Sequence, residues 1–189
     1  MARSSHHPRD RDRDAPPEKP AADQADGSTK AGAEADAVFS ILHIDDDPND
    51  KELLLAATLE AAVPFRIHNV ADAGQAMALL NGEGSYADRA RFPLPSLILL
   101  DLKMPRSTGI EILMWMRTVP ELKGIPVVVL SGSARDEDLR QAYASGANAY
   151  LVKPLGFGGL VEMVRNLNRG WFVPSQNVLA RINRQFVAR

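Results

Sequence analysis

The run Ile98-Leu99-Leu100, which lies between Pro95 and Pro105 and ends at Asp101, constrains this chain more than any other stretch. It is too short for a helix and apolar at consecutive rather than alternate positions. That pattern predicts a strand buried on both faces, as in a parallel sheet covered by helices on both sides. Asp101 falls where the strand gives out. In an open α/β sheet the carboxyl ends of the strands are where ligands bind, which places Asp101 for chemistry rather than packing. An isolated Asp there would more simply start a turn. The balance tips because other strand ends also carry polar residues of the types that phosphate chemistry at a carboxylate needs.

The preceding chain supplies two more strands and two helices. Phe39 to Ile44 reads as a buried strand that ends in Asp45-Asp46-Asp47. Pro48 suits the first turn of a helix with Asp47 as its N-cap. That helix is expected over Pro48 to Ala62, with Leu53, Leu54, Ala57 and Ala61 along one face. Phe65 to Val70 is a second strand, and Ala71 to Asn81 a small Ala-rich helix closed by Gly82. Residues 82–96 form a polar segment longer than an ordinary connection, expected to be a surface insertion. After the Asp101 strand, Ile110 to Val119 is predicted as a helix with Ile112, Leu113 and Met116 in the core. Ile125 to Leu130, Arg135 to Ser145, Ala149 to Val152 and Gly156 to Asn168 follow as strand, helix, strand and helix. The last of these carries Leu160, Val161, Val164 and Leu167. Five strands alternating with five helices imply right-handed crossovers and a doubly wound, five-stranded parallel sheet. The expected order, 2-1-3-4-5, would place the third strand between the first and the fourth.

Composition sets the outer limits. The chain has 189 residues, no Cys, 45% hydrophobic residues and a net charge of −2. Without Cys, disulfides and thiolate metal sites are excluded. With no apolar stretch of roughly 18 residues, no membrane span is expected, and a cytoplasmic location follows by default. Residues 1–37 contain no Val, Ile, Leu, Phe, Tyr or Trp, so they cannot bury enough apolar surface to offset the entropy of ordering. They are expected to form a disordered tail. Its six basic and eight acidic residues nearly cancel, which argues against a nucleic-acid arm. A folded domain is expected over 38–170 and an extension over 171–189. Five Arg and no acid occur from Arg165 onward, and Ser175 could cap a short helix carrying Val178, Leu179, Ile182 and Phe186. That stripe either packs back on the domain or forms a surface for a partner or a second copy of the chain.

Four strand ends converge in this topology, bringing Asp45 and Asp46, Asp101, Ser131 and Lys153 together. Close carboxylate pairs repel by about 4 kcal/mol each at an effective dielectric near 20, so the cluster needs a counter-ion. Hard oxygen ligands at a small site suit Mg²⁺. A metal, the Lys153 ammonium and the Ser131 hydroxyl around one carboxylate form a clamp for a transferring phosphoryl group, with Asp101 as the nucleophile.

The pieces Ile41-Leu42-His43-Ile44-Asp45-Asp46-Asp47-Pro48, Leu99-Leu100-Asp101-Leu102-Lys103-Met104-Pro105, Val129-Leu130-Ser131-Gly132-Ser133 and Tyr150-Leu151-Val152-Lys153-Pro154 resemble, as a set, a response-regulator receiver domain. The resemblance spans about Ser40 to Asn168 and implies a flavodoxin-like, CheY-like fold. It implies that Asp101 accepts phosphate from a sensor histidine kinase, and that Asp45, Asp46, Asp101 and the Lys103 carbonyl hold Mg²⁺. Ser131 becomes the switch hydroxyl, Tyr150 a switch aromatic that turns from exposed to buried, and Lys153 the phosphate-sensing lysine. Lys103 and Ser133, each two residues past a site residue, would tune the lifetime of the phosphate. Pro48-Asn49-Asp50, the insertion before the third strand and Gly170-Trp171-Phe172 also resemble stand-alone regulators that partner phytochrome-type histidine kinases. Asp47 stands where that subgroup more usually has Asn, and is expected only to cap its helix. His43 is expected to be a packed core residue.

Three rivals share part of this pattern. A haloacid-dehalogenase-type phosphatase would use Asp45-Asp46-Asp47 as its nucleophile motif, but leaves Asp101 without a role and lacks paired acids after Lys153. A flavodoxin-like FMN carrier would place a phosphate against three carboxylates. A degenerate receiver acting only as an interaction module is disfavoured because each residue of the phosphorylation site is present.

Overall fold

The computed structural model describes residues 39–105 and 107–172. The tail expected over 1–37 lies outside them, as does the extension beyond Phe172 with the helix expected from Ser175.

Five parallel strands form the sheet: β1 (Phe39–Ile44), β2 (Phe65–Val70), β3 (Leu97–Leu100), β6 (Val127–Ser131) and β7 (Ala149–Val152). Two-residue strands β4 (Lys103–Met104) and β5 (Ser107–Thr108) form a small antiparallel ladder in the loop after β3. The sheet order is β2-β1-β3-β6-β7, which is the expected 2-1-3-4-5 once that ladder is set aside. Pairing places Ile44 beside both Val70 and Leu100, so β1, β2 and β3 end together.

Alternate residues of the central strands feed two cores. Leu42, Ile98, Leu100, Val127 and Val129 pack under α2 (Ala73–Asn81), α3 (Gly109–Thr118) and α4 (Asp136–Ala144). Ile41, Leu97, Leu99, Val128 and Leu151 pack under α1 (Pro48–Glu60) and α5 (Phe157–Phe172). Both faces are therefore covered, which is why these strands read as unbroken apolar runs.

Helix starts follow their caps. Asp47 accepts the Asn49 amide at 2.8 Å with Pro48 at the first helical position, so α1 begins as expected. Asp72 accepts the Gln75 amide at 2.8 Å, which moves the start of α2 to Ala73 rather than Ala71. α1 buries Leu54, Ala57 and Thr58, whereas Leu53 is 45% exposed and is not in the core. Thr58 takes the inward place because its hydroxyl donates to the Leu54 carbonyl at 2.8 Å, leaving its methyl to pack. That sets the buried stripe at 54, 57 and 58 and turns Leu53 to the edge. The three residues expected in the core of α3 are all buried. α5 runs on to Phe172, four residues past Asn168, and adds Met163 to the core.

Residues 82–96 are tied down rather than merely inserted. Gly82 closes α2 with φ of 72°, and the Arg89 guanidinium donates to the Leu79 and Leu80 carbonyls at 2.8 and 2.7 Å. The end of α2 leaves such carbonyls short of partners, Leu79 having only the Gly82 amide at 3.2 Å. Phe92 packs edge-on against Tyr86, and its ring lies 5.4 Å from that of His68 on β2.

Candidate functional site

The carboxyl ends of β1, β3, β6 and β7 bring Asp45, Asp46, Asp101, Ser131 and Lys153 to one place. Asp101 follows the last residue of β3, and its amide donates to the Ile44 carbonyl at 2.9 Å, which locks it beside Asp45. Carboxylate oxygens of Asp45, Asp46 and Asp101 all lie within 4.8 Å of one another. Such a set of hard oxygen donors at this separation fits a small divalent cation. Asp47 is exposed and caps α1, outside this group.

Lys153 closes the site. Its Nζ donates to Asp45 Oδ2 at 2.8 Å, Asp101 Oδ2 at 2.9 Å and Asp50 Oδ2 at 2.6 Å. Burial would lower its pKa, but bonds to Asp45, Asp50 and Asp101 outweigh it and raise the group. Burial likewise would raise the Asp45 carboxyl. Hydrogen bonds from His43, Lys153 and the Asp47 amide instead hold its pKa at about 2. Asp45 therefore stays a carboxylate in a fully buried position, with Oδ1 taken by the Asp47 amide at 2.9 Å and Oδ2 by Lys153. This arrangement suits a ligand better than the attacking group of a haloacid-dehalogenase-type phosphatase. Asp101 differs in being slightly open: Oδ1 accepts the Lys103 amide at 3.0 Å, and Oδ2 faces the ammonium.

The loop that carries Asp101 has no room to shift. A Cβ on Gly109 would collide with the Asp101 carbonyl oxygen, so the first residue of α3 must be glycine for β3 and α3 to approach this closely.

Ser131 ends β6, is fully buried, and its Oγ accepts the Ser133 amide at 3.3 Å. Tyr150 is buried, and its hydroxyl donates to the Ser133 carbonyl at 2.8 Å. The ring expected to turn from exposed to buried is in the buried position, where the Ser131–Ser133 turn offers its hydroxyl a buried acceptor. Lys103, in β4, extends its ammonium to within 3.6 Å of Asp138 Oδ2 on the first turn of α4. The Asp138 carboxyl is lowered chiefly by a hydrogen bond from Ser133, with Lys103 adding to it. Thus Lys103 and Ser133, remote in sequence, meet at one acid.

His43 is a core residue, as expected. Its Nδ1 lies 2.9 Å from Asn69 Oδ1, and its Nε2 lies 3.6 Å from Asp45 Oδ2. Two members of the cluster had no assigned role in the sequence reading, Asp50 and Asp138. Both are first-turn acids that resemble residues favoured by the helix dipole. A signal did exist for Asp50, which lies four residues before Leu54 and so on the inward face of α1.

Residues 41–165 match the family model described as response regulator receiver domain. The chain is 35% identical over 139 residues to the probable methanogenesis regulatory protein FilR2 of Methanothrix harundinacea, covering 73% of this chain and 86% of that one. It is 34% identical to the response regulator Rcp1 of Synechocystis, over 69% of this chain and 87% of Rcp1. The manganese-bound form of Rcp1 superposes with a TM-score of 0.63 over 73% of this chain and 97% of that chain, at 32% identity. The phosphorylated cyanobacterial phytochrome response regulator RcpA superposes with a TM-score of 0.66 at 34% identity, covering 74% of this chain and 98% of that one.

Proposed function

This chain belongs to the response regulator receiver domain family, and on that footing we propose that Asp101 accepts a phosphoryl group from the phosphohistidine of a sensor histidine kinase. The observation that carries this reading is the position of Lys153 Nζ, 2.9 Å from Asp101 Oδ2, with Asp45 and Asp46 beside it. Asp101 Oδ2 attacks phosphorus, the P–N bond breaks, and the imidazole nitrogen leaves with the electron pair and takes up a proton. The product is an acyl phosphate on Asp101.

Asp45, Asp46 and Asp101 would hold Mg²⁺, with the Lys103 carbonyl completing the protein ligands. Bound there, the cation offsets the charge of the carboxylates and of the incoming phosphoryl oxygens. Lys153 supplies a fixed positive charge on the other side of Asp101 and bonds a phosphoryl oxygen as it arrives. Ser131 Oγ, which accepts from the Ser133 amide, has its own hydroxyl proton to donate to another. Because Tyr150 already bonds the Ser133 carbonyl, any movement of that turn is transmitted to β7 and α4. Lys103 and Ser133 border the same opening and set how fast water reaches the phosphate.

The likeness to RcpA supports a phytochrome-type kinase as the phosphate donor, since RcpA is itself a phytochrome response regulator. The face formed by α4, β7 and α5 is the surface through which a partner, or a second copy of the chain, reads the phosphorylated state. No described helix is long and apolar enough to cross a membrane.

Incubation with acetyl phosphate and Mg²⁺, followed by intact mass, tests the reading. A gain of one phosphoryl group that needs Mg²⁺ and is abolished in Asp101→Asn is expected. A gain that survives Asp101→Asn refutes it.

A further inference from the structure

Asp50 makes the shortest of the three contacts to Lys153, at 2.6 Å. An ammonium has three N–H donors, and Asp45, Asp50 and Asp101 take one each. Two of those partners change state in the proposed reaction: Asp45 and Asp101 are the candidate cation ligands, and Asp101 becomes the acyl phosphate. Asp50 belongs to neither group, because the cluster able to hold a cation consists of Asp45, Asp46 and Asp101. It is therefore the one partner of Lys153 that is neither a candidate cation ligand nor the candidate phosphoacceptor.

The surroundings show why such a partner matters. A cavity of about 110 Å³ opens between α1 and α5, lined by Asp45, Asp50, Leu53, Lys153, Pro154 and Phe157 among others. A lysine side chain has four rotatable bonds, and with its other two partners engaged elsewhere the ammonium could swing into that space. The Asp50 carboxylate stands at its edge. α1 holds the carboxylate there, with its N-cap at Asp47 and its buried anchor at Leu54.

We propose that Asp50 is a positioning residue for Lys153: it retains the ammonium beside Asp101 while the other two carboxylates are taken up by cation and phosphate. This inference rests on the reading of Asp101 as phosphoacceptor. Asp50 acts through the lysine and touches neither phosphate nor metal. Its negative charge alone would repel a phosphodonor, so loss of the charge and loss of the position have opposite signatures. Removing the charge lowers the donor concentration needed for half-saturation. Losing the position of Lys153 lowers the rate at saturation.

The test compares the full chain with Asp50→Asn and Asp50→Glu. The first measurement needs no phosphorylation: exchange of the Lys153 ζ protons with water, followed by ¹⁵N-resolved NMR. Exchange should accelerate about tenfold in Asp50→Asn, the size of a lost charge-assisted hydrogen bond, and return toward the parent rate in Asp50→Glu. The second is phosphorylation by acetyl phosphate at saturating Mg²⁺. The rate at saturating donor should fall about tenfold in Asp50→Asn with no rise in half-saturating donor, and Asp50→Glu should recover part of it. The Mg²⁺ dissociation constant should stay within about threefold. Unchanged ζ-proton exchange, faster phosphorylation in Asp50→Asn, or a Mg²⁺ affinity weakened more than tenfold would each overturn the proposal, the last by making Asp50 a cation ligand. A parent protein that takes up no phosphate refutes the role of Asp101 instead, while proton exchange still reports whether Asp50 holds the lysine.

Discussion

Lys153→Met should destabilise the protein at neutral pH in the absence of divalent cation, by an amount the site itself sets. Lys153 Nζ lies 2.8 Å from Asp45 Oδ2, and the Asp45 side chain is 0% exposed. The Asp45 carboxyl is held at about 2 against an ordinary 3.8, although its burial alone would raise it. At 1.36 kcal/mol per pKa unit, that lowering stabilises the folded state by roughly 2 kcal/mol. A carboxyl lowered on folding contributes fully above the unfolded value, near pH 4, and loses its contribution as pH falls toward 2. Lys153→Met removes a hydrogen bond and the nearest opposite charge but leaves the burial in place. The Asp45 carboxyl then moves upward, and the variant should be less stable by about 3 kcal/mol at pH 7, the lower part of the range for breaking a buried pair. The difference should shrink as pH falls from 5 to 2, because the protonated acid no longer needs the ammonium. Saturating Mg²⁺ should shrink it too, by supplying the missing positive charge. Urea unfolding at pH 7, 5 and 3, with chelator and with Mg²⁺, measures all of this. A loss below about 0.5 kcal/mol at pH 7, or one independent of pH and Mg²⁺, would refute the picture of Asp45 as a buried carboxylate kept ionised by its neighbours.

Other parts of the structure give sharper local outcomes. Gly109→Ala forces a Cβ onto the Asp101 carbonyl, so phosphorylation should fall at least tenfold with a stability loss of about 1–3 kcal/mol, read by intact mass and urea unfolding. Arg89→Ala leaves the Leu79 and Leu80 carbonyls without their guanidinium partner. It should cost about 1–2 kcal/mol and speed amide hydrogen exchange across residues 82–92 before any effect appears at Asp101. Tyr150→Phe removes the bond to the Ser133 carbonyl, and should cost about 1 kcal/mol by urea unfolding while raising amide exchange in the 131–135 turn.

Much of the site is legible in the sequence because each member directly follows a short apolar run. A strand buried on both faces announces itself, and the residue after it lies at the sheet end by construction. Asp45, Asp101, Ser131 and Lys153 stand out this way, and the alternation of elements implies a doubly wound sheet without itself fixing the order of its strands. Helix faces are harder to read. Leu53 looked as good a core residue as Leu54, and only the back-bonded Thr58 shows which way α1 is turned. Asp50 and Asp138 receive no site role from the sequence, because their partners Lys153 and Lys103 come within reach only when α1 and α4 lie across the strand ends. Arg89 and Arg117 were silent for a related reason. Arg89 caps a helix end ten residues back, and Arg117 donates to the Gly146 carbonyl 29 residues on at 2.9 Å. No local pattern encodes such reach. The inward position of Tyr150 is not legible in the sequence because its acceptor is a backbone carbonyl, which any sequence would supply.

The central claim is that Asp101, and no other carboxylate of the cluster, carries the phosphoryl group. Borohydride attacks an acyl phosphate at carbon, expels phosphate and reduces that aspartate to homoserine. Peptide mapping after phosphorylation with acetyl phosphate and Mg²⁺ therefore locates the modified residue directly. The account predicts homoserine at position 101 and nowhere else, with none formed when Mg²⁺ is chelated. Homoserine at position 45, with aspartate intact at 101, would contradict it.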